Sequence, residues 1–470
     1  MLERPQLALD DLIKSLKIPP EFSRYEGISD STTIADLEVW KQNAASVLRD
    51  IQQLFNSKNA ESLTLKTKGD MISATVPFLQ EHVADGDRID SLADEKEPWL
   101  GPDSGIIAQE IISSSMLFPS NDLIAQVLTH NLKPIFKASP HPHLHLETGR
   151  KLSRAAGGSM AMQDYYEDQL WKQYPGVDKV TLWCVRGIQQ DAYEKLWHLV
   201  IPPVMTFLDD YEPKYKLRGV TLVQEMLRHV PGDLLKRTGV DGLLRQSLRT
   251  CLSNLQSPET PLLLKNAINA SILLILLTTS IGPLTKPSSA RFDDLSSLLG
   301  EGIISGIWLY ADDKPEVVKA TFEALPDLLR ALGIGSVRFL KALIPQLAHT
   351  LIPRPMVMSD RKVEFSAITV LSTLLDVCGP RIELWKETIL DAIGRCWVGL
   401  IDEENPAIQT NGDLDASPAD VGLRRELKRQ LQNLCTKLAE LCPSVVKDEF
   451  PRFIHANKTL FEDLIPKLHY

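Results

Sequence analysis

The stretch Gly306-Ile-Trp-Leu-Tyr-Ala-Asp-Asp-Lys-Pro-Glu-Val-Val-Lys-Ala-Thr-Phe-Glu-Ala-Leu325 decides the fold class. An apolar lead-in meets two adjacent acids and a proline, and an amphipathic run follows. An acid before the second helix can accept its orphan N–H groups. Pro315 falls where a first-turn proline costs nothing, because its missing N–H has no helical partner there. Val317, Val318, Ala320, Thr321, Ala324 and Leu325 recur at helical spacing and supply an inward stripe. One such hairpin cannot bury its apolar face alone, so neighbours must stack.

The same pattern extends in both directions. Upstream stand Leu199-Val-Ile-Pro-Pro-Val-Met-Thr-Phe-Leu-Asp-Asp210 with Tyr215 to Val223, and Leu248 to Leu255 with Ser257-Pro258 and Leu263 to Leu277. Downstream come Leu340 to Leu347 with Arg361 to Val377, and Ile389 to Ile401 with Leu423 to Leu441. With Asp209, Ser257, Asp312, Asp360 and Asp402 as turn markers, the steps are 48, 55, 48 and 42 residues. That is the period of HEAT-type hairpins, stretched by insertions. No sustained period-two alternation of β-branched residues is present. The expected fold is all-α: a HEAT-repeat-like α-solenoid of stacked helical hairpins over residues 140–470, with an acidic insertion near 402–422. Residues 1–139 form an N-terminal helical region. There Thr33–Phe55 carries Ile34, Leu37, Trp40, Ala44, Val47, Leu48, Ile51 and Leu54 on one face, and Ile106–Met116 and Asn121–Phe136 read as a helix pair.

The 470 residues hold 51 Lys+Arg and 61 Asp+Glu, a formal charge of −10. Residues 83–104 carry −5 of it and residues 402–420 carry −6; the rest keeps 49 bases and 48 acids. The body is therefore near neutral, and the two stretches read as solvated acidic loops. No basic surplus speaks for general nucleic-acid binding. Arg424, Arg425, Lys428 and Arg429 form a basic turn that local pairing with 402–420 explains. Six cysteines without a C-x-x-C pair read as buried thiols in a reducing compartment. No signal-peptide core opens the chain. The most apolar run, Ile268–Ile281, is 14 residues, short of the roughly 20 a bilayer needs. A cytoplasmic and nuclear location, with no membrane and no direct nucleic-acid contact, is the expectation.

A search for chemistry finds little. His141, His143 and His145 alternate and could share a face for a metal, but Pro142 and the lack of further ligands favour an interhelix loop. Thr148-Gly-Arg-Lys151 and Ala156-Gly-Gly-Ser159 match no phosphate loop, and Gly333-Ile-Gly335 reads as a helix end. No nucleophile–base pair is evident. No enzyme, metal or cofactor is expected. The residues to watch are Trp171, Trp183 and Trp197 in an aromatic crowd from Tyr165 to Trp197, together with Asp209, Asp210, Tyr211, Lys216 and Gly219 at the first clear turn. They either close the hairpin core or anchor a partner, since Trp and Tyr are favoured at interfaces.

The order of several blocks resembles a known family. His141-Pro-His-Leu-His-Leu-Glu-Thr-Gly-Arg150, Gln163 to Lys172, Tyr193 to Pro203, Leu208 to Gly219 and Leu234-Leu-Lys-Arg-Thr-Gly239 together resemble the second Tti subunit of the Tel-two-interacting proteins. The resemblance covers roughly residues 140–450 and finds no pattern in 402–422. It implies a non-catalytic HEAT-repeat subunit of the TTT cochaperone complex. The implied partners are Tel-two-like and first-Tti-like HEAT proteins and, indirectly, the ninety-kilodalton heat-shock chaperone and phosphatidylinositol-3-kinase-related kinases. The competing expectation is a HEAT-type transport or regulatory adaptor for basic protein cargo.

Overall fold

The computed structural model describes residues 3–23, 31–56, 63–80, 97–156, 165, 169–279, 289–353, 360–404 and 418–465. Among them the secondary structure is helical throughout, apart from one isolated bridge between Leu144 and Lys151. The fold is the expected all-α, HEAT-like solenoid type of stacked hairpins. It divides into two compact units, Met1–Cys251 with Ser257–Asn266 and Leu252–Gln256 with Ala267–Tyr470.

In the first unit, helix Ser31–Asn56 packs on Ser104–Ile112, and Leu65–Thr75 packs on Asn121–Gln126. Leu37, Ala44, Leu48 and Ile51 make the buried stripe of Ser31–Asn56, while Ile34 and Leu54, expected on that stripe, are exposed. The expected helix at 121–136 is continuous to Lys137 through a π-type segment, Val127–Leu132. Val177–Gly187, Tyr193–Leu208 and Pro213–His229 then pack on one another.

The second unit shows why the repeat period reads so clearly. Pro315–Leu332, Arg361–Cys378 and Pro418–Leu441 pack side by side in one layer; Leu340–Leu351 and Lys386–Glu404 pack side by side in the other. The quoted stretch is the expected hairpin. Its first arm is a wide π-type helix, Leu298–Trp308, and its second begins at Pro315. The Trp308 indole N–H donates to Thr321 Oγ1 at 2.9 Å, tying the arms across the turn. All six stripe residues are buried, and Gly333, at φ +57°, ends the second arm.

The turn chemistry differs from expectation at several markers. Asp360 does cap the helix it precedes, accepting from the Lys362 and Val363 amides. Asp312 makes no such cap; Lys314 instead reaches the Leu255 carbonyl at 2.7 Å. Asp402 lies inside helix Lys386–Glu404, because that helix runs on past Ile401.

The apolar run near 268 belongs to a 19-residue helix, Thr260–Thr278, longer than its composition suggested. It and segment 361–403 are long and apolar enough to cross a bilayer, but 56% and 67% of their apolar windows are buried within the fold. All six cysteines are buried thiols.

Most of both acidic stretches lies outside the described residues. At their described ends Glu97 is not solvated but pairs with Lys179 at 3.0 Å, and Glu403 pairs with Arg361. In the basic turn Arg429 pairs with Glu426, and Lys428 lies 5.6 Å from the Trp397 ring centre.

Candidate functional site

The loop Asp209–Glu212 joins two helices that nearly touch. A Cβ on Gly219 would stand 2.3 Å from the Leu208 backbone nitrogen and 2.4 Å from its Cα. The absence of a side chain at 219 therefore lets Pro213–His229 cross the end of Tyr193–Leu208 at backbone contact. Lys216, buried on the same helix face, donates to the Leu208 carbonyl at 3.1 Å and satisfies one of the open acceptors at that helix end.

The two acids of this turn do different work. Asp209 closes the preceding helix, its amide donating to the Met205 carbonyl, and its carboxylate holds His141 Nε2 at 3.0 Å. It does not cap the following helix, because the chain has three more residues to travel before that helix starts. Asp210 is fully buried; its Oδ1 accepts the Glu212 amide at 2.8 Å in an Asx turn.

Asp210 is buried against Lys172, whose Nζ lies 2.9 Å from Asp210 Oδ2 and 2.7 Å from Glu212 Oε1. Three rings surround the same ammonium: Tyr211 at 4.5 Å, Tyr215 at 4.9 Å and Trp171 at 5.4 Å from their centres. Such ring faces attract a cation, more strongly when it is desolvated. Burial pushes the Asp210 carboxyl up, while the Glu212 amide and Lys172 pull it down. Beneath the cage Trp171 packs edge-on to Phe207 at 4.6 Å and to Tyr215 at 4.9 Å, and stacks on Phe136.

A second charged cluster lies on the neighbouring helix. Arg218 pairs with Asp178, and Lys179 pairs with Glu97 while donating to the Leu79 carbonyl at 2.7 Å.

The expected residues thus fall into three places. Trp171, Asp210, Lys216 and Gly219 form the turn itself and are buried. Trp197 is buried in an adjacent position, donating to the Gly149 carbonyl at 3.1 Å. Trp183 is half-buried, and Tyr211, 61% exposed, is the one large ring of the group that faces outward. Lys172, Glu212, Tyr215, Phe136 and Phe207 were not singled out in the sequence. Lys172 stands beside Trp171, but no periodicity pairs residue 172 with residue 210.

The histidines do not line up as metal ligands. His141 is buried against Asp209 and edge-on to Tyr165, and its Nδ1 accepts the His143 amide at 3.3 Å. A turn at Pro142-His143, closed by the Leu144 amide on the His141 carbonyl at 3.1 Å, breaks the extended geometry that alternate ligands need. Among the described residues no group of three or more potential ligands converges.

Burial, followed by the neighbouring His141, holds His143 below its ordinary value. A base with a depressed folded pKa gives stability that is present above its unfolded value, near 6.5, and is lost as pH falls through the folded value. His143→Gln should therefore lose less melting temperature than the parent between pH 7.5 and pH 5. Equal losses in thermal unfolding would refute this.

Helical hairpins packed side by side in layers define a helical-repeat protein of the HEAT-like, all-α class. The chain belongs to the Tti2 family, whose model matches residues 87–359 and so contains the whole cage. The relatives include TELO2-interacting protein 2 of Rattus norvegicus, 24% identical over 148 residues, and that of Homo sapiens, 25% identical over 142. Each match takes in 30% of this chain and 25% of the relative, so the chain matches about a quarter of those relatives' length. Among solved structures, Kap121p bound to Pho4p aligns over 98% of this chain and 37% of its own (TM-score 0.47, 11% identity). Kap95p, from a complex with RanGDP, aligns over 98% and 50% (TM-score 0.48, 12% identity).

Proposed function

We propose that this protein is a non-catalytic scaffold subunit of a TTT-type cochaperone complex, holding Tel-two-like and first-Tti-like HEAT partners. Through them it would support maturation of phosphatidylinositol-3-kinase-related kinases with the ninety-kilodalton heat-shock chaperone, in cytoplasm and nucleus. The observation that carries the reading is the family match across residues 87–359. The relatives' name, TELO2-interacting protein 2, supports the choice of partner. The architecture suits the role, since stacked hairpins offer extended surfaces to large protein ligands.

Affinity purification of the tagged chain from its native cells, read by mass spectrometry, tests the reading. Both HEAT partners should be recovered in near-stoichiometric amounts. Recovery of neither would overturn the proposal.

A further inference from the structure

In the second unit the helix Lys386–Glu404 lines a groove. On Lys386–Glu404, Leu390, Gly394 and Val398 fall on one stripe at four-residue steps. One side of this helix packs on Leu340–Leu351. Against it also stands Phe450–Ala456, a helix that runs on from the π-type segment Val445–Glu449. Phe453 reaches Gly394, where a Cβ would come within 2.9 Å of the ring, and Pro353 meets Gly399 in the same way at 2.8 Å. Between these contacts lies an open groove of about 750 Å³. Val398 and Phe453 are half-buried along it.

The charges around the groove are unbalanced. Glu387, Asp391, Asp402 and Glu449 line it against Arg395 and Arg452. Arg395 is already held by both Asp391 oxygens at 2.9 Å. Glu449 is only 8% exposed; one oxygen pairs with Lys386 at 3.2 Å, and the buried Oε2 has no hydrogen-bond partner among the described residues. A buried acceptor without a donor is costly, and a cationic donor would relieve it most.

We infer that this groove docks a helix of a partner protein that carries an apolar face flanked by lysine or arginine. From Glu387 to Asp402 the helix rises about 22 Å, room for roughly four turns of a partner helix. Helix-in-groove recognition fits walls made of helices, whereas strand addition needs a sheet edge, and the described residues hold none. The inference rests on the scaffold reading only in that the occupant is a polypeptide. It concerns a different surface from the cage around Lys172.

The test uses the full chain and a fluorescein-labelled 18-residue peptide with leucines at helical spacing and lysines elsewhere. A second peptide replaces every lysine with glutamate. Anisotropy should give micromolar binding of the lysine peptide, at least tenfold weaker for the glutamate peptide and weaker at high salt. The exposed-site double variant Glu387→Lys with Asp402→Lys should weaken binding at least tenfold, and so should Val398→Arg, with melting temperatures unchanged. A photo-crosslinker on the peptide should map to residues 387–402 and 449–456.

Equal affinity for both peptides, no effect of the variants, or crosslinks elsewhere would each overturn the proposal. So would binding seen only after removal of residues 405–417 or 466–470, which would make the occupant a segment of this chain. A dimer in sedimentation velocity that Val398→Arg dissolves would make it a second copy. Failure of the native-cell purification leaves these peptide measurements readable, so the two readings fail separately.

Discussion

Gly219→Ala should lower the stability of the first unit by about 3 kcal/mol, the upper part of the range for overpacking a tight contact. The atoms in the way are the Leu208 backbone nitrogen and Cα and the Phe207 carbonyl carbon, all within 2.5 Å of the new Cβ. A side chain could turn aside; a helix backbone can yield only by moving the whole helix. Separating the helices would also stretch the Lys216 bond to the Leu208 carbonyl. In thermal unfolding of the full chain the expected shift is roughly 6–12 °C for a unit of this size. A shift below about 2 °C would mean the helices part cheaply. Gly422→Ala is the contrast: nothing lies within 4 Å of its Cβ position in helix Pro418–Leu441, so it should stabilise by about 0.5–1 kcal/mol.

Lys172→Ala should cost about 3–5 kcal/mol, because it leaves a buried carboxylate without its counter-charge. Asp210 has no solvent to turn to, and its ring neighbours Tyr211, Tyr215 and Trp171 favour a cation in the vacated place. Asp210→Ala should cost less, about 1.5–3 kcal/mol for its lost charge-assisted hydrogen bonds, because Lys172 keeps Glu212 and the three rings. The double variant Lys172→Met with Asp210→Asn should recover most of the loss in urea unfolding, since neither residual group is charged. Additive losses would show that the pair is not coupled.

The pH dependence follows from the same geometry. Burial already holds the Asp210 carboxyl above its ordinary value, and Lys172 is among the groups opposing that rise. Removing Lys172 lets it rise further, so the folded state then binds its proton more readily than the unfolded state. Stability of the variant falls as pH rises through the window between the unfolded and folded values, and its deficit shrinks in acid. A deficit that grows on acidification would contradict this assignment.

The hairpin turn was legible as a block, but its wiring was not. Leu208 to Gly219 stood out because acids, aromatics and a glycine cluster where an apolar run ends. Sequence spacing could suggest that Asp209 and Asp210 cap the next helix, since capping is a local event. The fold uses Asp209 for His141, 68 residues away, and Asp210 for Lys172, 38 residues away. Those pairings depend on how a loop near 141 and a short 3-10 turn at Leu170–Gln173 are laid against the hairpin. The same limit hid the groove. Asp402 read as a turn marker in an acidic loop, Glu387 and Asp391 carried no signal, and only the packing of Phe453 on Gly394 shows that the three line one groove.

By itself the sequence determined the all-α class, the hairpin period and the family resemblance, because burial of one helix face leaves a 3.6-residue signature and turns leave Pro, Gly and Asp. Tertiary structure alone decided which charges share a cage, which tryptophans are core and which helix face lines a groove. Those outcomes depend on contacts between residues tens of positions apart, whose free energy comes from desolvation at a particular packing and leaves no periodic mark along the chain.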